Sequence, residues 1–271
     1  MALSLGALSP SVMGIVNVTP DSFFAAARTA AFDEAIVRGT ELFTLGCDIV
    51  DVGGESTRPG AREVALEEEL ARVVPVVSAL ALRGPVSIDT RKADVARAAV
   101  RAGAVVINDV SGTLMEVAGE LGVGYVAMHA RGTPENMQDD PRYDDVVAEV
   151  LEVLASMARR ARDAGVAQLW LDPGIGFGKT LEHNVALVAR CADVVELART
   201  FDAGVVIGTS RKRFLGLLGS DVLEVDERLE GSLATEAWAL VSGVSMIRAH
   251  DAPAALQLRE LVARPVAEVG A

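Results

Sequence analysis

Apolar residues gather along this chain in eight short runs, and each run closes on polar residues: Val12–Asn17, Asp48–Gly53, Val86–Asp89, Val105–Asp109, Tyr125–His129, Leu169–Asp172, Val205–Ser210 and Ser245–His250. Runs this short, bounded by polar and Gly-containing stretches, read as buried strands. Between them the period changes. In Tyr143–Gly165 the residues Val146, Val147, Val150, Leu151, Leu154, Met157 and Ala158 recur at i, i+3 and i+4, the spacing of one helix face. Val64–Leu82, Val95–Ala102, Leu114–Leu121, Val185–Ala198 and Arg228–Val241 read as helices too, and Ala252-Pro253 suits the first turn of another. Gly46, Gly103, Gly122, Gly165 and Gly243 follow helical segments, where a left-handed cap favours glycine. The repeat of strand, loop, helix and glycine predicts parallel strands joined by helical crossovers.

Eight such units predict a (β/α)8 TIM barrel. The 271 residues suit one barrel of about 250, so 1–271 reads as a single domain. In this architecture the loops after the strands build the active site. Asn17, Asp51, Asp89, Asn108, Asp109, His129, Asp172, Ser210, Arg248 and His250 stand at those ends. Three connections, Asn17–Ala30, Gly53–Glu63 and Ala130–Arg142, are longer than a crossover needs and read as lids or binding loops.

Composition narrows the partners. Aromatics are only 4% against 51% hydrophobic residues overall, so the core must be Val, Leu, Ile and Ala. A net charge of −13 repels nucleic acid and anionic membranes, and neither is expected as a partner. No apolar run is long enough to span a bilayer, and the first ten residues lack a signal-peptide pattern. Cys47 and Cys191, the two cysteines, belong to no paired motif. Buried free thiols and a cytoplasmic location are the expectation.

Within an acidic protein, Ser210, Arg211, Lys212, Arg248 and His250 gather after the seventh and eighth strands. Those loops often form a phosphate site in such barrels, so the positive groups are expected to face an anion; the alternative is charge pairing with the acidic exterior. Asp89 and Asp172 end apolar strands, where an unpaired carboxylate is costly. With Asn108 they can form a ring of donors and acceptors suited to a flat heterocycle, or else pair internally with Lys212 or Arg248. His129, His183 and His250 lie far apart without H-E-x-x-H spacing, which argues against zinc. Magnesium needs few protein ligands, and the Asn17 amide oxygen suits it. Ser210 lacks a nucleophile-elbow context, and Arg211 and Arg213 beside Lys212 favour electrostatics over Schiff-base chemistry.

Seven strings carry a resemblance. They are Asn17-Val18-Thr19-Pro20-Asp21-Ser22-Phe23, Gly53-Gly54-Glu55-Ser56-Thr57-Arg58-Pro59-Gly60, Ile107-Asn108-Asp109-Val110-Ser111-Gly112, Met128-His129 with Arg131-Gly132-Thr133-Pro134, Leu171-Asp172-Pro173-Gly174-Ile175-Gly176-Phe177-Gly178-Lys179, Ser210-Arg211-Lys212 and Arg248-Ala249-His250-Asp251. In this order, from the first strand to the last, the chain resembles the dihydropteroate synthase family. The resemblance implies a transferase of folate biosynthesis. The amine of p-aminobenzoate displaces diphosphate from 6-hydroxymethyl-7,8-dihydropterin diphosphate, giving dihydropteroate. It implies pterin binding by Asp89, Asn108, Asp172 and Lys212, and diphosphate with Mg²⁺ at Asn17, Thr57, Arg248 and His250, with Asn17 on the metal. Phe23, Arg58, Pro59 and Ser210 would shape the p-aminobenzoate site, where sulfonamides compete. Lys212, Asp89, Arg248 and His250 form the implied catalytic set, and a homodimer is implied. One departure stands out. The family usually continues Asp-Ser-Phe with Ser-Asp-Gly-Gly, whereas this chain has Phe24-Ala25-Ala26-Ala27, so loop closure and rate are expected to suffer more than pterin binding. Two alternatives remain open at this point: a catalytically impaired pterin-binding paralogue, and a barrel that moves a methyl group from a folate to a corrinoid.

Overall fold

The computed structural model describes residues 10–18, 25–58, 60–133 and 135–263, without the side chains of residues 25–31. Phe23, Phe24 and Pro59 lie outside the described residues. The strands β1 (Ser11–Asn17), β2 (Ile49–Gly53), β3 (Val86–Asp89), β4 (Val106–Asp109), β5 (Gly124–Met128), β6 (Leu169–Asp172), β7 (Gly204–Ile207) and β8 (Met246–Ala249) pair in parallel in chain order. β8 returns to β1 and closes the expected barrel. The outer helices are α1 (Ala25–Leu45), α2 (Leu66–Leu80), α3 (Ala93–Arg101), α4 (Met115–Leu121), α5 (Val146–Asp163), α6 (Leu181–Ala189), α7 (Cys191–Thr200), α8 (Leu229–Val241) and α9 (Ala252–Ala263).

α5 shows how a local pattern becomes an element. The Asp145 carboxylate accepts from the N–H groups of Val147 at 3.0 Å and Ala148 at 3.1 Å, which caps the helix start. Val146, Val147, Val150, Leu154, Ala158 and Ala161 are buried against the sheet. Truncating Leu154, fully buried, to Ala would cost about 2–5 kcal/mol. Gly165 follows with φ of 76°, as do the other four helix-ending glycines with positive φ.

Two expectations need correction. Val185–Ala198 is not one helix. α6 and α7 meet at Arg190, which leaves helical geometry (φ −108°, ψ 26°) and forms an ion pair with Asp193 in the first turn of α7. Asn17–Ala30 is not all loop either: α1 already begins at Ala25, in keeping with the high helix propensity of three successive alanines. The strands also stop slightly early, so His129, Ser210 and His250 sit on the loops just beyond β5, β7 and β8.

The barrel interior explains where the site lies. Inward residues alternate along each strand, and a layer takes four side chains from alternate strands. Met13, Ile49, Val106, Val126, Trp170, Val206 and Met246 form a buried cluster of their own, apart from the larger core between sheet and helices. Following the register two strands around and two residues up leads from Asp51 to Asn108, then Asp172, then Arg248, and back to Asp51. One complete layer of the even strands is therefore polar. Above it, Ile15, Asp89, Met128 and Gly208 from the odd strands surround the mouth by the same register.

Candidate active site

A cleft of about 1030 Å³ opens over that polar layer. Asn17, Thr57, Arg58, Asp89, Asn108, Asp172, Ser210, Lys212, Arg248 and His250 all line it. Every described residue of the expected site is thus brought to one place.

The floor is cross-linked. Arg248 donates from Nε to Asp51 at 2.7 Å and from Nη2 to Asp89 at 2.9 Å. Asn108 donates to the same Asp51 oxygen at 2.9 Å. Burial raises the Asp89 carboxyl to about 7, with Arg248 opposing and Asp51 adding to the rise. The sequence places Asp51 at a strand end and nothing more; fully buried in the polar layer, it is the anchor of Arg248. The alternative reading of Asp89, internal pairing with Arg248, is therefore real, and Arg248 reaches any anion as a guanidinium already flanked by two carboxylates.

Asp172 is held differently. Its Oδ1 accepts from the Gly174 N–H at 2.7 Å. Burial raises its pKa, against the pull of that hydrogen bond and of Lys212. The following loop is a run of tight turns in which Gly174, Gly176 and Gly178 all have positive φ. A Cβ on Gly174 would lie 1.7 Å from the His129 carbonyl oxygen, so only glycine fits there. Lys179, 2% exposed, closes the loop from beneath. Its Nζ donates to the carbonyls of Gly174 at 2.9 Å and Phe177 at 3.0 Å and meets His129 Nδ1 at 3.0 Å. In the sequence Lys179 stands out only as the last residue of a motif. A lysine closing a Gly-x-Gly-x-Gly run was the available signal. Lys212 lies over the Phe177 ring, 4.1 Å from its centroid, and burial lowers its pKa to about 8.

The loop after β2 is pinned to β3. Glu55 accepts from Arg91 at 2.7 Å, Lys92 at 2.5 Å and the Val64 N–H at 2.8 Å, while Lys92 also reaches Glu69 at 2.6 Å. Burial works to raise the Glu55 pKa, but these hydrogen bonds win and hold it low. This scaffold presents Thr57 and Arg58 to the cleft. At the end of β1 Asn17 is exposed, and a Cβ on Gly53 would sit 3.8 Å from its Oδ1 and 3.7 Å from Asp89 Oδ2. Gly53 thus leaves two oxygens facing one space.

Some polar strand ends serve the fold instead. Asp109 accepts from Ser111, Thr113, Leu114 and the Tyr125 hydroxyl, tying the loop after β4 to β5, and does not line the cleft. His129 is buried beneath the Lys179 clamp. Two expected cations also change character. Burial, then Arg248, Arg58 and Lys212, lowers the His250 pKa to about 4, so the imidazole is neutral at neutral pH. Its main-chain N–H donates to Ser210 Oγ at 3.1 Å, with Nδ1 3.2 Å from the same oxygen. Arg211 forms a two-point pair with Asp251 and a further bond to Asp226, so the acidic exterior claims it.

The family model described as pterin binding enzyme matches residues 13–250. The chain belongs to the dihydropteroate synthase family. It is 42% identical over 267 residues to the dihydropteroate synthase of Escherichia coli K12, covering 96% of this chain and 93% of that one. The Yersinia pestis dihydropteroate synthase, solved with a sulfonamide drug complex, superposes with a TM-score of 0.86 at 38% identity, over 97% and 95% of the two chains. The Xanthomonas albilineans dihydropteroate synthase with 4-aminobenzoic acid gives 0.84 at 41% identity, over 96% and 93%. Membership makes this chain a transferase of the pterin-binding class and disfavours the corrinoid alternative.

Proposed function

We propose that the cleft joins 6-hydroxymethyl-7,8-dihydropterin diphosphate to p-aminobenzoate within a single domain spanning 1–271. The observation that carries this reading is the polar barrel layer: a flat donor–acceptor floor, open to a cleft whose rim holds Asn17, Thr57, Arg58 and His250. Asp172 and Asn108 accept and donate at the edge of the pterin ring, and Lys212, set over Phe177, supplies an ammonium donor. Asp51 and Asp89, sharing the one Arg248 guanidinium, leave net negative charge below the ring once Asp89 is ionised, which favours positive charge developing on the methylene carbon. The amine nitrogen forms a bond to that carbon, the carbon–oxygen bond to diphosphate breaks with its electron pair on oxygen, and the amine gives up one proton to the departing diphosphate or to solvent. Arg248, Thr57 and neutral His250 receive the departing diphosphate. Arg58, with Phe23, Pro59 and Ser210, borders the p-aminobenzoate and sulfonamide end. The chemistry is chiefly positioning and charge stabilisation.

The oxygens of Asn17 and Asp89 beside Gly53 fit a hard divalent cation, and Asn17 would hold Mg²⁺ there with the diphosphate oxygens. When bound, that ion stabilises charge on the leaving group. A homodimer fits the exposed Trp238 and Val241 on α8, 54% and 75% accessible, apolar side chains that a second copy would cover. A cytoplasmic setting fits Cys47 and Cys191, both buried free thiols. Among the described residues no helix is long and apolar enough to cross a membrane.

The deciding experiment titrates pterin diphosphate with and without p-aminobenzoate while diphosphate release is assayed. Release that requires both substrates supports the reading. Tight binding without release would mark an impaired paralogue, and the Ala25–Ala27 segment would be the first place to restore Asp-Gly-Gly.

A further inference from the structure

The cations that line the anion end of the cleft are mostly spoken for. Arg248 is shared between Asp51 and Asp89, and Arg211 between Asp251 and Asp226. His250 is neutral near pH 7, and Arg228 donates to the carbonyls of Leu223 and Arg211. Arg58 and Lys212 also lie near His250 but are assigned above to the p-aminobenzoate and pterin ends, so a multiply charged diphosphate leaves room for a further cation.

Arg38 lies on the outer helix α1, yet it lines the cleft. Its Nη2 donates to the His250 carbonyl at 3.0 Å, which anchors the guanidinium at the seam where β1 pairs with β8. Its acidic surroundings among the described residues are weak: Glu41 stands 3.7 Å away, with the two side chains 40% and 58% exposed, and Asp251, which also feels the Arg38 charge, is already held at two points by Arg211. Such an exposed pair in water competes poorly with a multiply charged ligand. One N–H is used on the His250 carbonyl, and among the described residues the remaining donors of the planar fork make no hydrogen bond and can meet phosphate oxygens.

We infer that Arg38 is a further diphosphate-binding residue, carrying an uncommitted guanidinium from α1 to the rim beside His250. The inference rests on the placement of the diphosphate near Arg248 and His250 proposed above. It has a structural corollary. Ala25, Ala26 and Ala27 of the Phe24-Ala25-Ala26-Ala27 departure open α1, so an anion held by Arg38 would also fix the helix that begins with them.

The test uses the full chain and inorganic diphosphate with Mg²⁺ as the probe, read as competitive inhibition against pterin diphosphate and by calorimetry. Arg38→Gln removes the charge but keeps an amide N–H for the His250 carbonyl, whereas Arg38→Lys keeps the charge. Arg38→Gln should weaken diphosphate by about tenfold, as loss of one charge-assisted contact does, and raise KM for pterin diphosphate. Free hydroxymethyl pterin and p-aminobenzoate should bind as before, and Arg38→Lys should recover most of the loss. Arg248→Ala is run alongside. If Arg248→Ala weakens diphosphate while Arg38→Gln matches the parent, the inference about Arg38 is wrong and the anion site stands. If both variants match the parent, the anion site itself lies elsewhere and the inference falls with it.

Discussion

Lys179 and Lys212 line the same cleft, and burial pulls both ammonium groups below the ordinary lysine range, to about 7 and about 8. They are held in opposite ways. Lys179 spends its donors inside the protein, on two carbonyls of its own loop and on His129. Lys212 rests on the Phe177 ring between the fields of Asp172 and Asp89, and among the described residues nothing accepts a hydrogen bond from its Nζ. A cation whose donors are all used stabilises a fold. One kept near carboxylates with its donors unused is ready for a ligand. The difference lies in the partners, not in residue type or exposure.

Four measurements would break or sharpen this contrast. The largest effect is expected from Lys212→Met. Losing a donor that works on the bound pterin should lower kcat/KM by about 100- to 1000-fold, roughly 3–4 kcal/mol of barrier. The thermal midpoint should hold or rise, because a desolvated charge is removed. A fall in stability with activity kept would reverse the roles of the two lysines.

Lys179→Met should do the converse. It leaves the carbonyls of Gly174 and Phe177 and the His129 ring without their shared donor, at about 3 kcal/mol in urea unfolding. Pterin affinity should follow only as far as the loop shifts Asp172. Lys179→Arg cannot reproduce the three-point contact in that space and should stay destabilised.

The pH profile separates them next. Lys212 is a charged donor only while protonated, so kcat/KM should fall as pH rises through about 8. Lys212→Arg, which stays charged to well above that range, should push this alkaline limb out of view. A limb that remains in the Arg variant belongs to another group.

The smallest effect is a slope. The folded pKa of Lys179, about 7, lies below its ordinary value, so between the two the unfolded chain binds the proton and the folded one does not. Its contribution to stability is therefore lost as pH falls through 7 and grows as pH climbs toward the unfolded value. Relative to Lys179→Met, the parent should gain stability from pH 7 to pH 10; a flat difference would mean that the lysine stays charged inside.

Much of this was legible in the chain. Eight apolar runs ending in polar residues, with glycines after the helices, are local patterns, and they mapped onto barrel, mouth and caps. The polar ends gathered as expected because strand direction alone puts them on one rim. What local pattern could not supply was partnership. Asp109 and Asp89 both end apolar strands, yet one ties down a neighbouring loop and the other faces the cleft. Arg211 and Arg248 both read as anion binders, and each had already found acids, Arg248 across 197 positions of sequence. The neutral state of His250 follows from burial beside Arg248 of β8 and two cations, Arg58 and Lys212, drawn from separate loops. The break at Arg190 escaped the periodicity because the apolar spacing runs on through it.

The bond from Arg248 to Asp51 also sets a timetable. Asp51 and Asp89 are made early during synthesis, and their guanidinium partner arrives on the last strand. Until β8 docks, Asp51 and Asp89 lack the guanidinium that hydrogen-bonds both of them, an arrangement that resists burial. The mouth can therefore close and dry only once nearly the whole chain has left the ribosome. A nascent or truncated form ending before Arg248 would keep an open, wet interior, and competence to hold a pterin would be the final event in the life of the folding chain rather than a property of any early fragment.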